Sequence, residues 1–389
     1  MYSHIEVTDD AQDKFIRGTG AWLIRRSGHA SEVERAAKLG AYGSAGIELD
    51  PGEFRGMTLA DLARECLERR GVDARRMQRS ELFSRALNLR TGYQTSSDFA
   101  LVLENALHKL LLGAYALTAD TWKRFCRQGT VKDFRASGRY RTGSFGVLDD
   151  VGESGEIKNK AIPDGEKVEI SIGTKGNIIS ISRVALINDD MGVFQDLATK
   201  FGRAAALTIE EHVYRELRKN SGLGPTQPDG NPFFHASRSN INATSSGLSV
   251  AGINADRVVM AQQKDPSGNE FIDLRPAVLV IPIGLGGDAR VINDAQYDTT
   301  ANTFQKPNSV RGLFRDIVDT PRLEGTRRYL FADPNIAAAI EVAFLEESGS
   351  EPRLDMRKGF EVDGISWRVV LDYGVAFIDH RAAVTNAGA

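Results

Sequence analysis

One long amphipathic segment near the middle of the chain most constrains what the chain can fold into. Asn188-Asp189-Asp190 supplies caps and negative charge to the start of a predicted helix that extends to about Asn220-Ser221-Gly222. Its apolar stripe advances in steps of three and four and consists of Phe194, Leu197, Phe201, Ala205, Ile209, Val213 and Leu217. A helix of this length spans about 45 Å, so we predict a spine, packed mainly through Phe194, Leu197, Phe201, Ile209, Val213 and Leu217.

The periodicity before this helix is that of β-strands. Arg139 to Leu148 and Lys167 to Val184 both have strand-like composition. Within the second segment, Val168, Ile170 and Ile172 alternate with polar residues, as a strand with one buried face requires. The two segments therefore predict an antiparallel hairpin that ends just before the long helix.

The segment between these strands, Asp149 to Glu166, is rich in glycine and charge. Such a tip has too few apolar residues for a core of its own, and a two-stranded hairpin is barely stable alone. We therefore predict that the tip lies on a neighbouring copy of the chain. The residues predicted to make this contact are Glu153, Glu156, Lys158, Lys160, Asp164, Glu166 and Lys167.

The first 95 residues form a helical, charge-dense region with short amphipathic helices at Ala60 to Leu67 and Ser80 to Leu89. Two interpretations remain open for it: a flexible or scaffold-like arm, or an ordinary small helical subdomain. Ser96-Ser97-Asp98 then offers an N-cap to a packing helix that runs to about Tyr115, and a second short helix is predicted around Asp120 to Arg127.

The region after the long helix predicts a compact α+β unit from Leu248 to about Glu347. Its predicted elements include a helix from Asn254 to Gln263 and a buried strand from Ala277 to Ile283. The end of the chain is rich in strands, with an Asp363-Gly364 turn between two β-rich runs.

Composition excludes several classes of protein. The formal charge is −3, from 49 Lys and Arg against 52 Asp and Glu, so there is no overall basic field to attract nucleic acid. Cys66 and Cys126 are the only cysteines, which excludes a disulfide framework and an all-cysteine metal site. The N-terminus lacks the pattern of a signal peptide, and the most apolar helical candidate, Ala100 to Leu117, carries Glu, His and Lys. We expect a soluble chain without a membrane partner.

Motifs for chemistry are weak. Gly284-Leu285-Gly286-Gly287 follows a predicted strand, but it lacks the third glycine of a dinucleotide loop and the Lys-Ser/Thr of a nucleoside-triphosphate loop. His235 and His380 do not form a catalytic pair with a carboxylate, because Asp379 and His380 are adjacent and adjacent strand residues point to opposite faces. No metal-ligand spacing occurs among the six histidines. The sequence therefore predicts no catalytic residue, no cofactor and no metal site.

Several stretches resemble one known family in the same order along the chain. They are Thr95 to Asn105, Gly155 to Glu166, Thr174 to Arg183, Ile187 to Asp190 and Gly359 to Gly364. The sequence resembles the major capsid proteins of tailed bacteriophages, the class Caudoviricetes, and is most similar to the major head subunits of Mu-like phages. The resemblance covers roughly Thr95 to the C-terminus and involves no chemical motif.

This resemblance implies an α+β fold of the Hong Kong 97 type, with a peripheral domain, a spine helix, an axial domain, an extended loop and an N-terminal arm. The expected boundaries are 1–95 for the helical arm or scaffold-like segment, 96–132 for the N-terminal helices of the peripheral domain, 133–183 for the extended loop, 184–247 for the spine helix and linker, 248–347 for the axial domain and 348–389 for the closing strands.

The implied function is structural: a virion protein that self-assembles, as pentamers and hexamers, into an icosahedral head shell around double-stranded DNA. The expected partners are further copies of the chain, a scaffold or head-maturation protease, a portal, decoration proteins and non-specifically contacted DNA, with assembly in the host cytoplasm. Some relatives crosslink a loop lysine to an asparagine. Lys158 and Lys160 lie in that region, but we predict no crosslink because the sequence indicates no partner asparagine.

Two other functions remain open at this point. An encapsulin-like nanocompartment would use the same fold to enclose an enzyme cargo instead of DNA. A soluble nucleotide-binding α/β enzyme would depend on the turn from Gly284 to Gly287.

Overall fold

The computed structural model describes residues 3–43, 47, 49–88, 98–142, 165–182, 191–298, 306–358 and 364–389. The chain divides into two compact units. The first consists of Met1–Ala119, Thr174–Thr208 and Ser350–Asp372, and the second of Asp120–Gly173, Ile209–Gly349 and Tyr373–Ala389. Both units therefore combine segments that are remote in sequence.

The helices of the described residues are α1 (Ser3–Arg26), α2 (Ala30–Lys38), α3 (Leu59–Arg69), α4 (Arg79–Asn88), α5 (Asp98–Leu117), α6 (Met191–Gly222), α7 (Val250–Ala261) and α8 (Gly286–Asp294). The strands are β1 (Cys126–Val131), β2 (Ser137–Thr142), β3 (Gly165–Ile170), β4 (Gly173–Ser182), β5 (Pro276–Pro282), β6 (Asp316–Thr320), β7 (Arg328–Ala332), β8 (Ile340–Leu345), β9 (Arg353–Lys358), β10 (Gly364–Phe377) and β11 (Ala383–Asn386). This mixture of helices and sheets confirms the predicted α+β class.

The first unit has a helical core. Local sequence explains its helices: at the start of α3 the Thr58 hydroxyl accepts the Asp61 N–H at 3.2 Å, and the Asp61 carboxylate accepts the Thr58 N–H at 3.0 Å. Side chains from α1 to α5 form one buried cluster with Trp367 of β10; its members include Phe15, Leu62, Leu82, Phe83, Phe99, Val102 and Leu110. The N-terminal helices therefore share one buried core with α5 and β10.

Helix α5 is the one helix in the described residues that is long and apolar enough to cross a membrane, counted over Phe99–Leu117. Its apolar residues Phe99, Val102 and Leu110 are buried in the core of the first unit. Burial of this kind is typical of a core helix, which passes the same test of length and composition.

Strands of the first unit are β4, β9 and the first part of β10. Strands β9 and β10 pair antiparallel, from Ile365 opposite Lys358 to Val370 opposite Arg353. This pairing confirms the predicted C-terminal hairpin, whose Asp363-Gly364 turn begins in residues outside the described ranges.

The second unit contains a four-stranded sheet, a two-stranded sheet and the strands β1 and β8. Strand β8 pairs parallel with β1 and antiparallel with the Tyr373–Phe377 part of β10. The four-stranded sheet has the order β11-β7-β5-β6, and the two-stranded sheet consists of β2 and β3. The Phe125 ring lies 5.1 Å from that of Phe331 and 5.8 Å from that of Tyr214, so β7 and α6 pack against the start of β1 through aromatic rings.

Helix α6 confirms the long helix predicted from the sequence. Its regular part ends before Lys219, since Asn220 and Ser221 have left-handed backbone angles with φ of 52° and 57°. On the predicted stripe, Ile209, Val213 and Leu217 are buried, and Leu197 and Phe201 are partly buried. The side chain of Phe194 lies outside the described residues.

Two predictions of local structure were wrong. The strand expected from Lys167 to Val184 is divided in two: β3 ends at Ile170 and pairs with β2, whereas β4 begins at Gly173 and pairs with β10. The short helix expected around Asp120 to Arg127 is a single 3-10 turn, Trp122–Arg124, and Cys126 already begins β1. Buried Trp122 and Phe125 do anchor this region, as expected, but they do so beside a strand. Sequence analysis also did not identify β8, although all six of its residues are buried.

Candidate functional site

The candidate site is the base of the predicted hairpin. Strands β2 and β3 pair antiparallel, from Ser137 opposite Ile170 to Thr142 opposite Gly165. The predicted contact residues Glu153, Glu156, Lys158, Lys160 and Asp164 lie outside the described residues. Of that set, the structure places Glu166 and Lys167, both on β3.

Glu166 is held at this base by two arginines. Arg381 donates through Nη1 and Nη2 to the two carboxylate oxygens of Glu166, at 2.8 and 2.7 Å. Arg141, opposite Glu166 on β2, lies 3.3 Å from the same carboxylate. Bidentate pairs of this kind fix orientation as well as adding energy. The hydrogen bonds from Arg381 lower the pKa of Glu166, so its charged form is favoured in the folded chain.

The second carboxylate of the cluster is Asp379. It pairs with Arg141, and it accepts the Arg381 N–H at 3.0 Å, which caps the short turn His380–Ala382. Arg381 also donates from Nε to the Lys264 carbonyl at 2.8 Å. We call Glu166, Arg141, Asp379 and Arg381 the hairpin clamp, because together they join both strands of the hairpin to the end of the chain.

His380, next to the clamp, does not act as a base with Asp379. Burial and the neighbouring Arg381 charge lower its pKa from 6.5 to about 4. Its carbonyl accepts the Asn240 side-chain amide at 3.3 Å. His380 is therefore a packing residue that is neutral near pH 7.

Lys167 is exposed on the outer face of β3. Its Nζ donates to Glu169 at 2.7 Å and lies 5.9 Å from the centre of the Tyr140 ring. The hydrogen bond from Lys167 to Glu169 raises the pKa of the lysine. Because exposed pairs contribute little to stability, Lys167 and Tyr140 remain available for contact with another surface.

A buried carboxylate joins the hairpin to the neighbouring sheet. Glu341 on β8 has a side chain only 1% exposed, and it accepts hydrogen bonds from Arg139 of β2 at 2.9 and 2.7 Å and from Arg127 of β1. A Cβ at Gly129 would fall 2.2 Å from its Oε1, so β1 needs a glycine at this point. Apolar contacts among Val131, Ile170 and Leu345 accompany these bonds.

A second buried carboxylate, Glu210, connects α6 to the start of β1. It accepts the backbone N–H of Thr121 at 3.0 Å and that of Trp122 at 3.2 Å, which caps the 3-10 turn. Tyr214 lies 2.6 Å from the Thr121 hydroxyl, and its burial raises the pKa of the phenol. The long helix thus positions the strand that precedes the hairpin.

The turn from Gly284 to Gly287, considered above as a phosphate-binding loop, packs against the carboxylate of Asp319. A Cβ at Gly286 would meet Asp319 Oδ2 at 2.3 Å, so this glycine permits close packing of the turn on β6. Asp319 pairs with Arg290, and this hydrogen bond lowers the pKa of Asp319. A negative charge beside the turn opposes phosphate binding. Among the residues searched, no group of His, Cys, Asp and Glu is arranged to hold a metal.

Sequence analysis missed Arg141, Arg381 and Glu341 as functional residues. One indication was present in the sequence: Glu341 interrupts the apolar run Ile340–Leu345, where an unpaired charge would be costly. Its partners could not be identified, because they lie more than 200 positions away in the chain. On α6, the Nδ1 atom of His212 lies 3.2 Å from the Tyr373 hydroxyl.

Residues 165–386 match the model of a family described as phage capsid protein. No curated protein matches the chain with significance. The chain is also similar to solved structures, of which a virus-like particle from Pyrococcus furiosus has 16% identity, a TM-score of 0.41 and coverage of 72% of this chain and 97% of that one.

The corresponding values for the capsid of cyanophage P-SCSP1u are 12% identity, a TM-score of 0.46 and coverage of 70% and 89%. The structure from Mycobacterium phage Adephagia has 12% identity, a TM-score of 0.45 and coverage of 80% of this chain and 98% of that one. Since these TM-scores lie below 0.5, the family match over more than half of the chain is the finding that identifies it.

Proposed function

Because the chain belongs to the family of phage capsid proteins, we propose that it is the major head subunit of a tailed, Mu-like bacteriophage. Family membership makes it a structural protein that assembles with copies of itself into a capsid shell, as the sequence predicted, and not an enzyme. Its location is therefore the virion capsid. This function holds over the nanocompartment and enzyme alternatives.

The parts of the Hong Kong 97-type plan are assigned here as a proposal. Residues 133–183 form the extended loop, α6 is the spine, residues 248–347 form the axial domain, and the closing strands complete the peripheral domain. The single observation that best supports the loop assignment is the hairpin clamp: Arg381 and Arg141 fix the base of the hairpin through Glu166. A fixed base would aim the charged residues of Glu153 to Asp164 at a neighbouring copy.

Assembly then proceeds through many weak contacts. Pentamers and hexamers repeat one set of surfaces, and closed symmetry multiplies small contact energies across the shell. The charged loop residues set register between neighbours more than they add affinity. Buried Ile209, Val213 and Leu217 hold α6 in place. A fixed spine should keep the direction of the extended loop the same in every copy.

The proposed partners beyond copies of the chain are a scaffold or head-maturation protease, a portal, decoration proteins and packaged double-stranded DNA. Support comes from the role that this family implies, since a head shell must be shaped, filled and closed. Assembly in the host cytoplasm fits the two buried cysteines, Cys66 and Cys126, which are not joined in a disulfide and suit a reducing compartment.

Negative-stain electron microscopy of the full chain tests this proposal. Wild-type protein should form closed shells or ring-shaped capsomers, and Arg381→Ala should fold but form fewer of them, because its hairpin base is loosened. The matched control is Arg275→Ala, which removes an exposed arginine paired with Asp273 and should assemble normally. A small monodisperse oligomer of wild-type protein under every condition would contradict the shell function. Equal assembly of both variants would contradict the role of the clamp.

A further inference from the structure

The turn between α3 and α4 concentrates positive charge. Residues 69–79 contain five arginines and a single carboxylate, Asp73, in a chain whose net charge is −3. The turn is built rigidly: Gly71 adopts a left-handed conformation with φ of 76°, the Val72 N–H donates to the Leu67 carbonyl at 3.0 Å, and Ala74 is fully buried. The arginines are therefore presented from a fixed backbone.

Two of the five arginines have partners within the chain. Arg69 donates to Glu65 at 2.9 Å, and its guanidinium lies 4.0 Å from the centre of the Phe15 ring. Arg70 also takes part in an interaction within the fold. The Arg69 side chain helps to hold the end of α3 on the core.

The other three, Arg75, Arg76 and Arg79, are exposed and make no ion pair in the part of the chain that the structure describes. The nearby Asp73 carboxylate instead accepts the backbone N–H of Arg75 at 3.1 Å. We call Arg75, Arg76 and Arg79 the arginine turn. Their guanidinium groups are free to bind a ligand.

The arginine turn does not stabilise the folded chain through its charges. Three like charges within five residues repel one another. Arg79 is also the first residue of α4, where the positive end of the helix dipole disfavours a cation. A cluster that slightly destabilises the folded chain, and that is displayed on a rigid turn, points to an external anion.

The composition of the flanking sequence indicates which anion fits. From residue 40 to residue 133, the described residues expose no large hydrophobic side chain, whereas the core of a protein interface is usually apolar and aromatic. Guanidinium forks match the geometry of phosphates, and binding to nucleic acid depends mainly on such contacts. This favours a phosphate backbone over an acidic protein.

We infer that the arginine turn binds the phosphate backbone of double-stranded DNA without reading its sequence. This inference rests on the proposed function, because a head shell encloses DNA and one of its surfaces must face it. It assigns that contact to a specific place, the turn between α3 and α4, and it predicts that the first unit carries the DNA-facing surface.

The test measures DNA binding by the unassembled full-length chain. The variant Arg75→Gln/Arg76→Gln/Arg79→Gln is compared with Arg64→Gln/Arg85→Gln/Arg218→Gln, which loses the same charge from arginines paired with Asp61, Glu81 and Glu211. Fluorescence anisotropy follows a mixed-sequence duplex of about 30 base pairs between roughly 50 and 200 mM salt. The slope of log K against log salt should fall by about 2 to 3 for the arginine-turn variant and hardly change for the control, because each lost phosphate contact removes about 0.9.

Three outcomes would overturn the inference: an unchanged slope in the arginine-turn variant, an equal fall in both variants, or wild-type binding to polyglutamate but not to the duplex. The last outcome would point to an acidic protein partner. Electron microscopy of all three proteins separates this result from the proposed function. If wild-type protein forms no shells, the shell function fails whatever the DNA data show; if shells form in every case, the binding data decide the inference alone.

Discussion

Two arginine–carboxylate pairs in the second unit have similar geometry and different surroundings. Arg328 Nε donates to Asp256 at 2.6 Å with side chains 1% and 0% exposed, whereas Arg381 Nη2 donates to Glu166 at 2.7 Å with side chains 8% and 38% exposed. Distance alone would rank them as equal. Because both side chains of the first pair are buried, the stability of the fold depends on that pair. The second pair is partly exposed, so its loss should affect mainly the hairpin.

The buried pair is fully satisfied by its neighbours. The second oxygen of Asp256 accepts the side-chain amides of Asn242 at 2.6 Å and Asn386 at 2.9 Å, and Arg328 donates to the Ser246 hydroxyl at 2.9 Å. These bonds connect α7, β7 and β11 with the loop before α7. The end of the chain is therefore held by a buried network of hydrogen bonds around Asp256. The hairpin is attached to that end by the more exposed pair of Arg381 and Glu166.

The largest effect should come from breaking the buried pair. Asp256→Ala leaves the Arg328 charge buried without a carboxylate partner, so it should lower the free energy of unfolding by about 3 to 5 kcal/mol. Urea denaturation of the unassembled chain measures this value. The control Arg275→Ala removes the exposed partner of Asp273 and should cost under about 1 kcal/mol. Similar values for the two variants would show that burial does not separate the pairs.

A smaller effect is expected at Glu341, whose carboxylate is buried but whose arginine partners are partly exposed. Glu341→Ala removes bonds to Arg139 and Arg127, and the arginines can turn to water, so the loss should be about 2 to 3 kcal/mol. Glu347→Ala, on the exposed end of the same segment, is the matched control. A loss as large as that of Asp256→Ala would mean that the arginines cannot reach solvent.

How much was predictable from the sequence differs between these regions for a physical reason. The long helix α6 and the alternation of Val168 and Ile170 in β3 depend on neighbours in sequence, so local patterns predicted a long helix and a strand at these places. The same patterns did not show that β3 ends before Ile172. Hairpin clamp residues Arg141 and Arg381 are 240 positions apart, so no local pattern connects them. Sequence analysis predicted a helix where the chain forms the 3-10 turn Trp122–Arg124. This turn is capped by Glu210, which is remote in sequence, so no local pattern showed that the helix stops there and a strand follows.

The hairpin clamp should show a modest global effect and a larger local one. Glu166→Gln keeps the shape of the side chain but loses its charge, so the free energy of unfolding should fall by only about 1 kcal/mol, because the carboxylate is partly exposed. Hydrogen exchange at β2 and β3 should accelerate more than exchange at β5. Lys167→Gln, on the same strand, should leave both quantities nearly unchanged. Uniform acceleration across the second unit would show that the clamp supports the whole fold.

The smallest effect is the dependence of the clamp on pH. Because the folded pKa of Glu166 lies below its ordinary 4.5, its stabilisation is fully present above that pH and is lost as pH falls through the folded pKa. The difference in unfolding free energy between wild type and Glu166→Gln should therefore stay constant while the pH remains well above 4.5 and shrink as the pH falls below it.

His380 titrates beside the same clamp, in a different window. Burial holds its pKa at about 4 instead of 6.5, so the unfolded chain takes up a proton first, and stability falls from about pH 6.5 down to about pH 4. His380→Gln should remove this earlier loss and leave the Glu166 step below pH 4.5, with Asp379, Arg141 and Arg381 unchanged. Urea titrations of both variants across this range separate the two groups. If His380→Gln also abolishes the step below pH 4.5, the acid sensitivity of the hairpin base belongs to the histidine and not to the Glu166 carboxylate.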